Sequence, residues 1–429
     1  MAKTGKHINM NSEFKYGLLM DIIEKVRTTL DLEEVLNHII DSIKNLINYD
    51  SAGIYVLKKE LPAFPHSHHR HIIAGLAQRG FPLTAREDDE MLLLGKGIIG
   101  YVIKSGETVI IDDVRLDNRY YEGCSTTLSE ITVPIFVGDH VIGALNLESN
   151  QLNSYNEGDA EILQFISHAA AISIEKAILH QQIIEKKYIE NQLKLAQTVQ
   201  LCLLPITPPN LENYEIASLN IPDFNVGGDY FDYIELPNGK IGIVIADVSG
   251  KGIPAALIMA TFRASLRTQM QYQTDIPHIV QNVNRFLYES TSPETFVTTV
   301  FGILEPSTGI FTYTNCGHPP PLLFRKNGTI EHLACGGLIL GFIADITFKS
   351  ETVQLSKQDL LAFFTDGVIE FGEESGQELG SAGLAQLISS HIHQSTPQMI
   401  ESLVKNTKIL SNGHVHHDDF TIMILRRCI

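Results

Sequence analysis

The sequence is poor in cysteine, and its cysteines are placed neither for a disulfide framework nor for zinc. Five cysteines are scattered through 429 residues, and no two have the C-x-x-C spacing of a zinc site or a redox pair. Dense disulfides are typical of secreted proteins. The cysteine pattern therefore predicts a cytoplasmic protein with reduced thiols.

Basic residues are also scarce, because 32 Lys and Arg stand against 50 Asp and Glu, for a formal net charge of -18. Nucleic acids and anionic membrane surfaces bind clusters of Lys and Arg, and the sequence contains no such cluster. The chain also has no N-terminal signal segment and no run of about 18 uninterrupted apolar residues. We therefore expect neither a nucleic-acid nor a membrane partner.

What the sequence does contain is enough for two globular domains. Hydrophobic residues make up 44% of the chain, and its length exceeds that of one ordinary domain of about 100–200 residues. The N-terminal half predicts a helix that begins with a capping box at Asp31, a strand at 51–57, and a hairpin turning at Gly138-Asp139. A closing helix completes an α+β domain, for which we predict the limits 20–178.

An uninterrupted helical pattern then continues toward Pro205. Residues 179–204 contain neither glycine nor proline, so we expect a stiff helical linker. A short heptad seam is formed by Ile189, Leu193, Ala196, Gln200 and Leu203. The seam, although Gln200 is polar, predicts either pairing with a second copy in a homodimer or packing onto the chain's own C-terminal domain.

The remaining residues, 205–429, predict a second domain in which acidic residues stand at the ends of apolar strands. Asp247 closes IGIVIAD and Asp366 closes LLAFFTD, while Asp229 opens the strand YFDYIEL and Asp418 precedes FTIMIL. Each aspartate alone would be ordinary turn chemistry. Carboxylates gathered at strand ends repel one another unless a cation compensates them, and Mg²⁺ or Mn²⁺ prefers such ligands. The set therefore predicts a divalent metal site.

Six motifs follow one another through the second domain. They are VGGDYFD (226–232), IADVSGKGIPAAL (245–257), TFVTTVFGILEPSTG (295–309), NCGHPPPLLF (315–324), FFTDGVIE (363–370) and DDFTIMIL (418–425). Their order and spacing resemble the SpoIIE/RsbU branch of the PPM metal-dependent protein phosphatases. The resemblance covers about 205–429 and implies a β-sandwich flanked by helices, with a binuclear Mn²⁺ or Mg²⁺ centre at one end.

The same resemblance implies a role for each acidic position. Asp247 would bridge two metal ions, and the backbone carbonyl of Val248 would bind one of them. Asp366 and Asp418 would hold the other ion, while Asp229 would bind a metal or orient its water. Asp229 and Asp247 are therefore the candidate catalytic residues.

The implied reaction is hydrolysis of phosphoserine or phosphothreonine by a metal-activated water, without a covalent phosphoenzyme. The branch implies a phosphorylated STAS-type anti-sigma-factor antagonist as the substrate protein. The group that protonates the leaving oxygen stays open: His318 is a candidate, and a structural histidine is the ordinary alternative. Asp419 aligns with a neighbour of the metal ligand rather than with the ligand itself.

The first domain has a more diffuse family likeness. Its segments DLEEVLNHIIDSIKNLINYDSAGIYVL, LLLGKGIIGYVIKSGETVIIDDVRLDNRYY and ITVPIFVGDHVIGALNLESNQLNSYNEGDAEILQFISHAAAISIE together resemble a GAF domain. The likeness implies a sensory domain with a small-molecule pocket on one face of an antiparallel sheet. Neither the NKFDE-type pattern of cyclic-nucleotide binders nor the Cys-His pair of bilin attachment is evident, since Cys124 precedes Ser125. The ligand therefore stays open.

Together, the two resemblances imply a cytoplasmic signalling phosphatase that is controlled by a GAF sensor. One alternative is a regulatory protein whose phosphatase-like domain binds a phosphoprotein without turning it over. A second takes GGDYF as part of the GGD-E-F signature of diguanylate cyclases, but Tyr230 replaces the acidic residue there. Release of phosphate from a phosphopeptide with Mn²⁺ would separate the first reading from both alternatives.

Overall fold

The structure is a computed structural model in which the chain forms two compact units, Met1–Tyr188 and Ile189–Ile429. Each unit has its own sheets and core, and the mixture of helices and sheets confirms the predicted α+β class. The described residues are 17, 20, 24, 31–57, 73–81, 95–223, 225–370, 379–410 and 418–428.

The limits of the two units can be compared with the predicted domain limits. The units meet at Tyr188, which lies inside the predicted linker 179–204. Residues 21–23 and 25–30 of the predicted first domain lie outside the described residues. The domain limits 20–178 and 205–429 stay predictions.

The first unit is built on a five-stranded antiparallel sheet with the strand order β2-β1-β5-β4-β3. Its strands are β1 (Ser51–Leu57), β2 (Ile73–Arg79), β3 (Val109–Ile111), β4 (Ser129–Val137) and β5 (His140–Ser149). Its helices are α1 (Leu32–Ile43), α2 (Gly97–Ser105) and α3 (Glu157–Leu201), with a 3-10 turn at Val114–Leu116. The predicted strand at 51–57 and the predicted hairpin are both present.

Helix α1 begins where the sequence predicts, after the capping residue Asp31. The Asp31 carboxylate accepts a hydrogen bond from the backbone N–H of Glu34 at 3.0 Å, which caps the first turn. The apolar pattern continues to Ile47, but the helix stops at Ile43, and the chain turns there toward β1. Ile47 is nevertheless buried in the same core. The apolar pattern therefore indicates which residues are buried, even beyond the end of the helix.

The sheet of the first unit has two different faces. Ile131, Val133, Leu145 and Leu147 pack with α1 and α3 in the main core of this unit. The alternate residues of β4 and β5 face the other side, where Ala144 packs with Tyr55 and with apolar side chains of α2. The second face therefore lies away from the main core.

Helix α3 is continuous over 45 residues and ends at Leu201 rather than at Pro205. Leu163, Ile166 and Ile174, in its first half, are fully buried in the core of the first unit. Among the described residues, this helix has the length and apolar composition of a membrane span. One such helix is weak evidence for a membrane segment, because core helices of soluble proteins share those properties.

The second unit is a sandwich of two sheets. One sheet has the order β13-β10-β9-β8-β7, with β14 paired to β10, and the other has the order β12-β11-β15-β16-β6. The strands are β6 (Tyr214–Ile221), β7 (Tyr230–Glu235), β8 (Ile241–Val248), β9 (Val297–Glu305), β10 (Ile310–Cys316), β11 (Leu322–Phe324), β12 (Ile330–His332), β13 (Gly336–Gly337), β14 (Glu351–Gln354), β15 (Leu360–Phe364) and β16 (Phe420–Arg427).

Helices cover both outer faces of the sandwich. They are α4 (Gly252–Tyr272), α5 (Ile276–Ser290), α6 (Asp366–Ile369), α7 (Gly380–Ser390) and α8 (Thr396–Leu410), with a 3-10 turn at Pro237–Gly239. Between the sheets, Phe311 packs edge to face on Phe363, as expected for interdigitating inner faces. Helices α4 and α5 pack on the sheet that contains β7 to β10, which is called the first sheet of the sandwich below. Helices α7 and α8 pack on the sheet that contains β15 and β16, which is called the second sheet. The predicted sandwich with flanking helices is confirmed.

An ion pair between a buried carboxylate and a partly exposed guanidinium, not predicted from the sequence, joins β7 to α4. The Asp232 carboxylate is 1% exposed and accepts hydrogen bonds from Arg267 Nε at 2.6 Å and Nη2 at 2.8 Å. The Tyr230 hydroxyl donates to the same carboxylate. A carboxylate this deeply buried depends on such partners, because its desolvation is otherwise uncompensated.

Replacing Arg267 by alanine should therefore destabilise the second unit by about 2 to 4 kcal/mol, since it leaves Asp232 buried without its cation. The free energy of unfolding in urea would measure the change. Arg285→Ala is the matched control, because Arg285 and Asp345 form an exposed pair that should contribute less than about 1 kcal/mol. Equal effects of the two substitutions would contradict this account.

Candidate metal centre

Antiparallel pairing brings the four predicted aspartates to one end of the sandwich. The start of β7 pairs with the end of β8, and the end of β15 pairs with the start of β16. Asp229 directly precedes β7, and Asp247 lies at the end of β8. Asp366 begins α6 after β15, and Asp418 lies two residues before β16. The two sheets thus contribute two aspartates each.

The carboxylates are close enough to raise one another's pKa. Burial, and then the charges of Asp366 and Asp418, raise the pKa of Asp247 to about 7. Burial and Asp418 raise the pKa of Asp366, and burial, Asp247 and Asp419 raise the pKa of Asp229 well above its usual range. The site therefore carries more negative charge than the surrounding protein compensates.

Among the residues that the structure describes, Lys251 is the basic side chain that acts on these carboxylates. Lys251 Nζ is 3.3 Å from Asp418 Oδ2, and its charge lowers the pKa of Asp247 and of Asp366. Both partners of this ion pair are partly exposed, so solvent screens the interaction. A single ammonium group balances only part of the charge of four carboxylates.

Asp229 directly precedes β7 of the first sheet of the sandwich, but its carboxylate is bound by hydroxyl groups at the second sheet. It is 3% exposed, and its Oδ2 accepts hydrogen bonds from the hydroxyls of Thr365, at 2.8 Å, and Thr421. Those hydroxyls favour the ionised carboxylate and oppose the effect of burial on its pKa. Within the described ranges no hydrogen bond reaches Oδ1, which stays available as an acceptor.

Asp419 holds the loop that leads to Asp229. Its carboxylate accepts the backbone N–H groups of Asp223 at 2.9 Å, Gly228 at 2.8 Å and Asp229 at 3.3 Å. A Cβ on Gly227 would lie 2.0 Å from Asp419 Oδ2, so only glycine allows this approach. Asp419 is therefore occupied with the backbone of the loop.

Gly228 leaves space beside the Val248 carbonyl. A Cβ added at Gly228 would lie 2.7 Å from the carbonyl oxygen of Val248 and 3.4 Å from Asp247 Oδ1. Two of the predicted ligand oxygens therefore border a cradle that any larger residue would fill. Carboxylate and carbonyl oxygens are the ligands that hard divalent cations prefer.

The donor set fits Mg²⁺ or Mn²⁺ by type and by charge. Across the described part of the chain, no three His, Cys, Asp or Glu side chains stand close enough together to hold a metal ion by themselves. Mg²⁺ commonly binds through one or two carboxylates and keeps several waters, so a closed cage of side chains is not required. The assignment of individual ligands stays a prediction.

Sequence reasoning missed the role of Gln200. Its amide Nε2 donates to the Gly227 carbonyl at 2.7 Å, and its Oε1 accepts the Gly227 N–H at 3.1 Å. The final turn of α3 is thereby bonded to the loop that carries Asp229. A polar residue in an otherwise apolar seam was the signal for such a contact.

His318 is placed as a structural histidine. Its side chain is 4% exposed, and Nδ1 lies 2.8 Å from the Thr298 hydroxyl, while its backbone N–H donates to Asn315 Oδ1. Burial lowers its pKa to about 3, so the imidazole is neutral at pH 7. These contacts argue against His318 as the group that protonates the leaving oxygen.

Comparison with known proteins agrees with this architecture. The family described as Stage II sporulation protein E (SpoIIE) matches residues 237–428, and the family described as GAF domain matches 29–175. Asp247, Asp366 and Asp418 lie within the first match, and Asp229 precedes it. The SiaA-PP2C domain of Pseudomonas aeruginosa has a similar fold, with a TM-score of 0.51, 22% identity, and coverage of 56% of this chain and 98% of that one.

Two curated relatives come from Bacillus subtilis (strain 168). Phosphoserine phosphatase RsbU is 31% identical over 56% of this chain and 71% of its own length. Phosphoserine phosphatase RsbP is 23% identical over 54% of this chain and 56% of its own length. The C-terminal unit is thus a PP2C-like domain. The chain belongs to the SpoIIE/RsbU family of metal-dependent serine/threonine phosphatases and carries a GAF domain in its N-terminal half.

Alanine at Gly228 should lower phosphatase activity by about 100-fold, because the new Cβ would lie 2.7 Å from the Val248 carbonyl oxygen and would force that predicted ligand to shift. Gly123→Ala is the matched control, since its Cβ would meet only ordinary contacts of 3.7 to 4.0 Å. Phosphate release and thermal unfolding are measured for both variants. Full activity of a folded Gly228→Ala variant would contradict the cradle.

Proposed function

We propose that this protein removes phosphate from phosphoserine or phosphothreonine of a partner protein in a cytoplasmic signalling pathway, under the control of its GAF domain. The observation that carries the proposal is the convergence of Asp229, Asp247, Asp366 and Asp418 at one end of the sandwich. The mutual effects of these carboxylates on their pKa values support a site built for cations.

The four aspartates and the Val248 carbonyl are the proposed ligands that would hold two Mn²⁺ or Mg²⁺ ions, with Asp247 proposed as a ligand of both. When bound, such ions supply a water of lowered pKa and offset charge on the phosphoryl oxygens. Asp229 is proposed to orient the water through Oδ1, because its Oδ2 is held by Thr365 and Thr421. Asp419 keeps this carboxylate in place by binding the loop backbone.

The alternative of a phosphoprotein-binding regulator without turnover has less support. Each of the four proposed side-chain ligand positions carries an aspartate, and the loop around Gly228 keeps its narrow cradle. A domain that only bound phosphoprotein would not need this repulsive set of carboxylates. The diguanylate cyclase alternative is excluded by the family assignment.

Asp247→Asn should reduce Mn²⁺-dependent phosphate release by more than about 100-fold, since even residues that only support metal ligands affect activity on that scale. Asp366→Asn should behave similarly. Both variants should remain folded, because they lose a charge and keep their shape. Asp345→Asn is the control, since Asp345 is exposed and lies in an ion pair with Arg285. Near-wild-type turnover in either site variant would refute the assigned centre.

The proposed substrate is a small STAS-type anti-sigma-factor antagonist, phosphorylated on serine or threonine. This part of the proposal is supported by family membership and by the relatives named phosphoserine phosphatase. Function does not follow from fold alone, so the substrate class needs its own test.

Phosphopeptides of one sequence that differ only in the phosphorylated residue provide that test. We expect Mn²⁺-dependent release from the phosphoserine and phosphothreonine peptides and little from the phosphotyrosine peptide. Mass spectrometry of proteins retained by Asp366→Asn, with Asp345→Asn as the non-trapping control, should identify a small phosphorylated regulator. Recovery of only phosphotyrosine proteins, or of no phosphoprotein, would overturn the substrate proposal.

We further propose that the enzyme is a homodimer in which α3 sets phosphatase activity. The second half of α3 exposes apolar side chains that one isolated helix would not need, among them Ile183, Ile189 and Leu195. Its last turn is bonded to Gly227 through Gln200. Arg263 of α4 donates a hydrogen bond to the Leu203 carbonyl at 2.7 Å, so α4 also contacts the segment that directly follows α3.

Three glycines inserted after Glu190 should uncouple the sensor from the phosphatase, because they interrupt a helix that has no flexible residue. The same insertion after Asn327, in the exposed turn between β11 and β12, is the control. The separate C-terminal domain from about residue 205 should likewise lose regulation. Sedimentation would report dimerisation. If the helix insertion and the separate domain both matched wild type in activity and in every response, α3 would be only a tether.

A further inference from the structure

Lys251 lies in the loop that connects β8 to α4, beside the acidic end of the sandwich. It is the last residue of the loop, since α4 begins at Gly252. Ser249 fixes the start of the loop: its N–H donates to the Phe296 carbonyl at 3.0 Å, and its Oγ accepts the Phe296 N–H at 2.9 Å. The backbone of Lys251 is therefore held between an anchored turn and a helix.

The loop leaves space for a ligand next to Lys251. Gly250 and Gly252 flank the lysine with φ angles of 92° and 70°, which lie in the left-handed region that favours glycine. A Cβ added to either glycine would meet no heavy atom of the described residues within 4 Å. The Lys251 side chain is 46% exposed. A molecule that reaches the acidic end can therefore approach this side chain from solvent.

The ammonium group of Lys251 contacts a carboxylate of the second sheet. Its Nζ lies 3.3 Å from Oδ2 of Asp418, a proposed metal ligand, and its charge also acts on Asp247 and Asp366. A divalent cation at Asp418 would bring a larger positive charge to the same carboxylate. We therefore expect the ammonium group and the proposed metal ions to compete for Asp418.

The balance of charge indicates what Lys251 would bind after leaving Asp418. The four proposed aspartate ligands carry four negative charges when ionised, and two divalent ions would neutralise them. A phosphoserine group adds about 1.5 to 2 negative charges at pH 7, so the loaded site still needs a cation. Among the described residues, the cation that acts on Asp247 and Asp366 is Lys251.

We propose that Lys251 is a catalytic residue that exchanges the Asp418 carboxylate for a phosphoryl oxygen of the substrate. The inference rests on the proposed phosphatase function and adds a substrate contact to it. An ammonium group has three N–H donors and one positive charge, and its hydrogen bonds to phosphate oxygens are stronger than neutral ones. Lys251 thereby orients the phosphoryl group and offsets its charge. An ion pair with a purely structural role would leave phosphate binding unchanged.

The metal affinity of the full-length protein provides the first test. Titration calorimetry with MnCl₂ compares the wild type with Lys251→Gln and with the matched control Lys240→Gln. Lys240 directly precedes β8, lies 3.6 Å from Glu305 and is similarly exposed. We expect Lys251→Gln to bind Mn²⁺ about two- to fivefold more tightly, because a competing but solvent-screened cation is removed. Equal or weaker binding of Mn²⁺ by Lys251→Gln would overturn the exchange at Asp418.

Binding of methylphosphonate, which has no phosphoester bond to hydrolyse, provides the second test. Calorimetry is performed with MgCl₂ in excess, so that metal affinity does not limit any variant. Lys251→Gln should bind methylphosphonate about tenfold more weakly or worse, because a charged donor is lost. Lys251→Arg keeps the charge and should recover most of that loss, while Lys240→Gln should match the wild type. The KM for a phosphoserine peptide should follow the same order.

The outcomes separate this inference from the proposed function. Unchanged methylphosphonate binding in folded Lys251→Gln, equal losses in Lys251→Gln and Lys251→Arg, or no binding to the wild type would overturn the role of Lys251, even where the wild type releases phosphate. A wild type that binds methylphosphonate through Lys251 but releases no phosphate from any phosphopeptide would instead contradict the proposed function and support the contact.

Discussion

The catalytic unit depends on the hydrogen bonds that the Asp419 carboxylate accepts from the loop before β7. These bonds join the second sheet, which carries Asp366 and Asp418, to the first sheet at Asp229. Without such a connection, carboxylates that repel one another would be free to separate. Hydrogen bonds to a charged acceptor contribute about 1.5–3 kcal/mol each, which is enough to oppose part of that repulsion.

The same physical problem occurs in both units of the chain. In each, carboxylates are buried at a place where the cations of the described residues compensate only part of their charge. Hydroxyl groups hold one oxygen of the carboxylate in both places: Thr365 and Thr421 at Asp229, and Thr127 at Glu148. At the strand ends of the second unit, carbonyl and carboxylate oxygens are the ligands that a hard divalent cation prefers.

Much of the fold could be predicted, because its signals are local. Short apolar runs predicted β1 and the β4-β5 hairpin, and aspartates at strand ends predicted the acidic end of the sandwich. Long-range pairs gave no such signal: Asp232 lies 35 residues from Arg267, and Gln200 lies 27 residues from Gly227. The raised pKa of Glu130 could not be predicted either. Alternation along β4 shows which face of the sheet a residue occupies, but not which residue of β5 lies opposite it.

The contact between Gln200 and Gly227 gives an order of magnitude for the free energy of the proposed control through α3. Two neutral hydrogen bonds contribute about 1–3 kcal/mol together, and allosteric coupling free energies commonly fall in that same range. Because Gln200 binds backbone atoms, moving the helix end would move Gly227 itself rather than only a side chain. Asp229 lies two residues further on and is fixed to the second sheet by Thr365. A shift of α3 would therefore strain the loop between two anchored points, which is where a small displacement changes catalytic geometry most.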